Sequence, residues 1–472
     1  MTGNETTPNV TEVREQDANR STTPGSAIFR EYIASGWAPR EDVLPAPRDQ
    51  AFFAADRRAR LSATRPDEQI IIAAGGLKQR SNDTDYPFRA HTAFSWLTGW
   101  GSDSEPDAVL VLEPREHHGG LEHDVTLYFR ERAGRDSDEF YANSSIGEFW
   151  IGPRPSLAQV AADLGIATRD LSELSSENAA AASAPLPDEL ARDLSEMRLV
   201  KDAWEIGQMR RAIAATALGF ADIVRVLPAI AGNVRGERLV EGAFSSRARL
   251  EGNGVGYDTI AASGAHACIL HWTNNDGVVA NGDLILIDAG VELDSYYTAD
   301  ITRTIPVSGT FSPVQRAVYE AVRAAADAAF AMVKPGIRFK DIHATAMAVI
   351  AEKTAEWGML PVTAAEATLP DNQHHRRYMV HGTSHHLGLD VHDCAQARRD
   401  MYMDGILAPG MVFTIEPGLY FQPDDLTVPP EFRGIGVRIE DDILVTETGA
   451  ENLSAGIPRT ADEVEAWVRP VG

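Results

Sequence analysis

The chain has 472 residues, too many for one ordinary core, so two domains are the expectation. Hydrophobic residues make up 44% and charged residues 24%, which fits a globular protein and not a disordered or fibrous one. With 43 basic against 69 acidic residues the net charge is −26; such a surface repels phosphate backbones and anionic membranes, so neither is an expected partner.

Residues 1–45 read as a flexible polar leader followed by a first helix. The leader lacks the apolar core of a signal peptide, and no stretch of the chain reads as the roughly 18 apolar residues of a membrane span. The sequons at Asn4, Asn9 and Asn19 are expected chance matches. Two cysteines, Cys268 and Cys394, with no CxxC spacing, argue against a disulfide framework and fit a reducing cytoplasm. Cys394 follows His392-Asp393 and reads as a small packing residue.

Residues 46–171 form the first expected domain, of α/β type. Ile70–Ile72, Ala108–Leu112 and Val125–Phe129 read as strands, and Leu157–Leu164 reads as a helix led in by Pro153 and Pro155. The aromatic stretch Tyr86–Gly99 carries no nucleophile or metal pattern and is expected in the core. Residues 172–195, rich in Ser, Ala and Glu at their start, are the expected linker.

The second domain spans 196–472. Asp202, followed three residues later by Glu205, predicts a capping box and a helix running to Pro228. Gly252–Gly256 precedes the strand-like Tyr257–Ile260 and no helix, so a dinucleotide loop is not expected. Further helices are predicted from Ser312-Pro313 to Pro335-Gly336, and from Lys340 to Trp357.

The chemistry lies in three stretches of this second domain. In Leu284–Thr304 a buried strand ends at Asp288, and Asp300 precedes a returning β-branched run, so the turn between them sets two carboxylates side by side. That is costly without a compensating cation. Met379–Asp393 holds His381, His385, His386 and His392. At the C-terminal side, Glu416 ends an apolar run at Pro417-Gly418, and Glu440 lies in Gly434–Thr446 with Arg438 two positions back, on its face. Four carboxylates with one imidazole suit two Mn²⁺-like or Zn²⁺ ions better than one structural zinc.

The ordered motifs DAGxxxDxxxxxD, HGxSHxLGLDVHD, TxEPGLY and GVRIEDD resemble those of the pita-bread metallo-aminopeptidases, and within them aminopeptidase P. The resemblance runs from Phe52 to Thr446. It implies an α/β N-terminal domain ahead of an α+β pita-bread catalytic domain. It also implies an aminopeptidase acting on peptides with N-terminal Xaa-Pro, by attack of a hydroxide bound to two divalent ions, Mn²⁺ first, with Zn²⁺ or Co²⁺ as alternatives. Asp288, Asp300 and Glu440 would hold one ion; Asp300, His385, Glu416 and Glu440 the other. Glu416 would also be the general base.

By the same resemblance His271 and His392 would hydrogen-bond the substrate beside the scissile bond. His381 would line the proline subsite, and Arg438 would sit close to Glu440 and orient it or the substrate carbonyl. His386 matches no role and is expected in a supporting or surface position. The pairs His117-His118 and His374-His375 are expected to be solvated. The Asp288–Asp300 spacing is about one residue longer than in many members, implying a longer turn or bulge at Glu292–Ser295. A homodimer or homotetramer is the family's habit. The competing readings are prolidase, which cleaves Xaa-Pro dipeptides only, and a metal-free binding relative.

Overall fold

A computed structural model describes residues 23–82, 84–117 and 120–469. The leader with Asn4, Asn9 and Asn19 lies outside the described residues, as does His118. The chain divides into two compact units, residues 1–99 with 104–185, and residues 100–103 with 186–472.

The first unit begins with helix α1, Ala27–Ala34, capped by Ser26, and α2, Gln50–Thr64. Strand β1, Ile70–Ala73, and helix α3, Thr92–Thr98, follow, then β2, Val109–His117, and β3, Gly120–Phe129. Helix α4 spans Leu157–Leu164 as predicted, started by a capping box between Ser156 and Gln159, and leads into β4, Ala167–Asp170. The sheet order is β1-β2-β3-β4, antiparallel except for the last pair. The strands β2 and β3 run further than the sequence predicts, because their pairing continues through polar residues from Glu113–Asp124 to Glu116–Leu121. The aromatic stretch is core only in its second half: Phe94, Trp96 and Leu97 are buried, whereas Tyr86 is exposed because it precedes the helix in an irregular segment.

The stretch 172–195 carries α5, Ser176–Ser183, and the start of α6, Asp188–Arg198. Helix α7, Ala203–Ile230, begins with the predicted capping box, Asp202 accepting from Glu205 N–H while Glu205 accepts from Asp202 N–H, and absorbs Pro228 in its last turn. Among the described residues it is also the one helix long and apolar enough to cross a membrane, in contrast to the expectation that no stretch is. Here its apolar side is core, with Met209, Ile213, Phe220, Ile223 and Leu227 buried. Helix α8, Gly236–Glu251, packs on it; the gap left by Gly219 admits the Phe244 ring, which a Cβ there would meet at 2.5 Å.

Three antiparallel strands follow: β5, Ile260–Ser263, β6, Leu284–Ala289, and β7, Ile301–Pro306, in the order β7-β6-β5. Every residue of β5, β6 and β7 is buried, which is why they read as continuous apolar or β-branched runs. Helices α9, Pro313–Met332, and α10, Phe339–Glu356, pack on each other; Ser312 caps the first with Pro313 in its opening turn, and Trp357 caps the second. The C-terminal strands are β8, Val412–Ile415, β9, Gly418–Tyr420, β10, Gly436–Arg438, and β11, Asp441–Val445. β8 pairs with β11 and β9 with β10. Helices therefore lie against strands whose ends carry the polar motifs.

Candidate metal centre

Asp288 pairs with Thr302 across β6 and β7. Asp300 lies two residues before Thr302 and so projects on the same face. Gly290 makes the approach possible, since a Cβ there would meet the Ala299 carbonyl oxygen at 1.7 Å. Between the two carboxylates Val291-Glu292 pairs with Gly254-Val255, and the chain reverses between Leu293 and Tyr297 with Tyr296 at φ 68°. The Gly252–Gly256 stretch is thus a strand partner for this turn.

The two glutamates are placed by a break shared between two strand pairs. Ile415 pairs with Asp441 and Gly418 with Arg438, a single continuous register. That register puts Glu416 directly opposite Glu440, where both strands are interrupted and Ile439 N–H donates to the Pro417 carbonyl at 3.3 Å. Glu440 N–H donates to Thr302 O at 3.1 Å and Glu416 N–H to Thr383 O at 2.8 Å, tying each to a different neighbouring segment. Two carboxylates facing each other across a sheet repel.

One ligand atom each from Asp300, His385 and Glu440 lie within 4.8 Å of one another. His385 Nε2 is 3.2 Å from Asp300 Oδ2 and 3.5 Å from Glu416 Oε1, while its Nδ1 faces the His386 carbonyl at 3.2 Å. That second contact fixes which ring nitrogen is turned to the carboxylates. Asp288 joins the cluster through Tyr257, whose hydroxyl is 2.6 Å from Asp288 Oδ1 and 2.5 Å from Asp300 Oδ1. Asp288, Asp300 and Glu440 are buried, and the Glu416 side chain keeps 15% exposure.

Arg438 grips Asp288 Oδ2 directly and lies near enough to Glu440 for the two charges to interact. Its Nε donates to the Thr302 hydroxyl at 3.1 Å, which donates to Glu440 Oε2 at 2.6 Å, so its influence on Glu440 is also relayed. A second arm donates to the Tyr420 hydroxyl at 3.2 Å, and that hydroxyl lies 2.7 Å from His381 Nε2. His381 Nδ1 faces the Gly382 carbonyl at 2.6 Å, so both its nitrogens are engaged. Burial, with Arg438 nearby, lowers His381 to about 3, so the ring is neutral.

His392 is exposed, with its ring centroid 4.2 Å from that of His385. Partial burial, with His385 beside it, lowers its proton affinity. His271 is exposed and acts electrostatically on both His381 and His392. Of the remaining histidines, His375 departs from the solvated position expected of it. His386 is a core residue stacked on Phe339 at 4.7 Å, and His375 is buried with Nδ1 at the Ala367 carbonyl, 2.9 Å away. The packing role expected for Cys394 agrees with its burial, which pushes its thiol up to about 12.

The electrostatics test whether cations fit. Burial pushes Glu416 up to about 7, with Asp300 adding to the rise and His385 opposing it. Burial and the other carboxylates raise Glu440 well above its ordinary value, and burial raises Asp300. Four clustered carboxylates against one guanidinium and one imidazole carry surplus negative charge that protons must otherwise relieve. An oxygen-rich set with one imidazole, in such a field, fits hard or borderline divalent ions.

The comparisons with known proteins decide the family. The model of metallopeptidase family M24 matches residues 207–447, and that of the aminopeptidase P N-terminal domain matches 54–185. The chain belongs to metallopeptidase family M24. It is 50% identical to Xaa-Pro aminopeptidase 2 of Streptomyces coelicolor over 94% of this chain and 96% of that one. It is 34% identical to the Xaa-Pro aminopeptidase of Escherichia coli over 88% of this chain and 96% of the relative. Among solved structures, proline aminopeptidase P II of Yersinia pestis superposes with a TM-score of 0.74 at 32% identity, covering 89% of this chain and 99% of that chain. The M24 chain is therefore a metal-dependent peptidase with an aminopeptidase P N-terminal domain and a pita-bread catalytic domain. Among the readings weighed from sequence, aminopeptidase is favoured over prolidase and over a metal-free binder.

Tyr257 and Thr302 were not singled out from sequence. Neither belongs to a spacing pattern, and Tyr257 bonds to residues 31 and 43 positions away.

Proposed function

We propose that the enzyme releases the N-terminal residue from peptides with proline second, using two divalent ions held by Asp288, Asp300, His385, Glu416 and Glu440. The observation that carries this reading is the convergence of these residues on one mostly buried cluster, in a chain whose relatives include Xaa-Pro aminopeptidases at 50% identity. Mn²⁺ is the preferred ion, with Zn²⁺ or Co²⁺ compatible with the same donors. Bound there, the ions would supply water activated near neutral pH and draw charge from the scissile carbonyl.

The chain's own groups do the rest. Glu416 takes the proton from the attacking water: its oxygens make loose contacts, 3.4 Å to the Thr414 hydroxyl, 3.5 Å to His385 Nε2 and 3.6 Å to His381 Nδ1. His271 and His392, both open to solvent, donate N–H to the substrate backbone and to the developing oxyanion. His381, with both nitrogens engaged, offers its ring face to proline. Arg438 holds Asp288 in place and, through Thr302, steadies Glu440.

The two buried free cysteines fit a cytoplasmic location. A homodimer or homotetramer built through the first unit is the assembly we favour, supported by the exposed run Phe149-Trp150-Ile151 there. The function is tested by offering the Mn²⁺-loaded protein a Xaa-Pro-Xaa tripeptide, a Xaa-Pro dipeptide and Met-Ala-Xaa. Release of the first residue from the tripeptide alone supports the proposal; turnover of the dipeptide alone moves it to prolidase.

A further inference from the structure

His271 sits in a long connection between β5 and β6, residues 264–283, that has little regular structure of its own. Only a short 3₁₀ turn, Gly264–Cys268, precedes it. Loops of this length need an anchor to hold one side chain in register with a reaction. The anchor is on another element. Glu237, in the first turn of α8, is fully buried at 0% side-chain exposure.

Its carboxylate takes up donors from both sides of His271. Oε1 accepts from Ser263 N–H at 2.8 Å and faces His266 Nδ1 at 2.8 Å. Oε2 accepts from Trp272 Nε1–H at 2.8 Å and from Gly277 N–H at 2.6 Å. The His266 ring stacks on Trp272 with centroids 3.9 Å apart and planes 28° apart. Gly277 closes the packing, since a Cβ there would lie 2.7 Å from Glu237 Oε2 and from His266. Asn275, at φ 47°, adds a second tether, accepting from Ala261 N–H at 2.9 Å and donating to Thr259 O at 2.8 Å.

A buried carboxylate is costly unless its lone pairs are used. Here all the partners come from the strand end and loop that carry His271, and none from the metal cluster. We infer that Glu237 is a positioning residue for His271: it fixes Trp272 and both flanks of the loop so that the histidine meets the substrate at a set distance. The inference rests on the proposed role of His271 at the substrate.

The test is a double-mutant cycle on the full metal-loaded protein, using Glu237→Gln, His271→Ala and the pair. Activity on a Xaa-Pro-Xaa tripeptide, bound metal and Tm are read for each. The amide of Glu237→Gln turns N–H toward N–H donors, so kcat should fall by about 10-fold or more with metal content unchanged. In the His271→Ala background the same change should lower kcat by less than about twofold, because the group being positioned is gone. Losses that multiply, or wild-type kcat in Glu237→Gln or in His271→Ala, overturn the inference. Should Glu237→Gln not fold, Trp272→Phe keeps a ring against His266 and removes one bond. Its kcat loss should likewise vanish in the His271→Ala background, and a multiplying loss overturns the inference. No tripeptide cleavage by the unmodified, metal-loaded protein removes the proposed function itself, and is read before any variant.

Discussion

Tyr257 sets a hydroxyl within hydrogen-bond reach of Asp288 and Asp300 at once, and so fixes the separation of two carboxylates that would repel. Tyr257→Phe should therefore weaken metal binding by about 10–100-fold, the usual penalty for losing a group that orients ligands. Activity titrated with Mn²⁺ measures this, and an unshifted midpoint would contradict it. Glu416→Gln should retain the fold and lower kcat by about 10²–10⁴-fold, the range for losing a general base. Wild-type kcat in that variant would remove Glu416 from the chemistry. The residues of the cluster were legible because each sits in a short motif at the end of an apolar run. Arg438 was legible as a charge near the site but its partner was not, since Asp288 is 150 positions away and spacing speaks only to near neighbours. His375 was misjudged for a related reason: a polar local sequence hides a side chain that tertiary packing buries.

At the scale of elements, the site depends on close backbone approach and on strand register. Gly290→Ala drives a methyl into the Ala299 carbonyl and should destabilise by about 1–3 kcal/mol, with the carboxylate pair spread apart. Thermal unfolding reads the loss, and an unchanged Tm would contradict the tight crossing. Helix starts were readable where a cap is written in sequence, as at Asp202, Ser156 and Ser312. The interruption at Glu416 was readable from Pro417-Gly418. The matching one at Glu440 was not, because Ile439-Glu440-Asp441 has strand character and the break is set by the partner strand. The lengths of β2 and β3 were similarly hidden, as polar residues extend their pairing.

At the scale of the whole molecule, one buried ion cluster ties distant parts of the second unit together. Asp393, 1% exposed beside His392, bonds Lys201 Nζ at 3.0 Å and Arg198 Nε at 3.2 Å. Burial alone would raise it, but Lys201 and Arg198 hold it well below the usual carboxylate range. A depressed folded-state value means the unfolded chain takes up the proton first. This stabilisation is thus complete above the ordinary carboxylate value, about 4, and is lost as pH falls below it. Asp393→Asn should cost about 3–5 kcal/mol near neutrality, as expected when a buried pair loses one partner. It should also flatten the acid limb of stability against pH; an acid limb identical to the wild type would contradict the assignment. The two-unit organisation and the site's five ligand candidates together make a metal-dependent aminopeptidase, and the central claim is that the carboxylate cluster binds the ions that the chemistry needs. The most direct test measures bound metal per chain and tripeptide cleavage on the same Mn²⁺-loaded sample, for the wild type and Glu416→Ala. The account predicts two ions per wild-type chain with cleavage, and loss of cleavage with reduced metal in the variant. Cleavage undiminished in the absence of bound metal, or in Glu416→Ala, would contradict it.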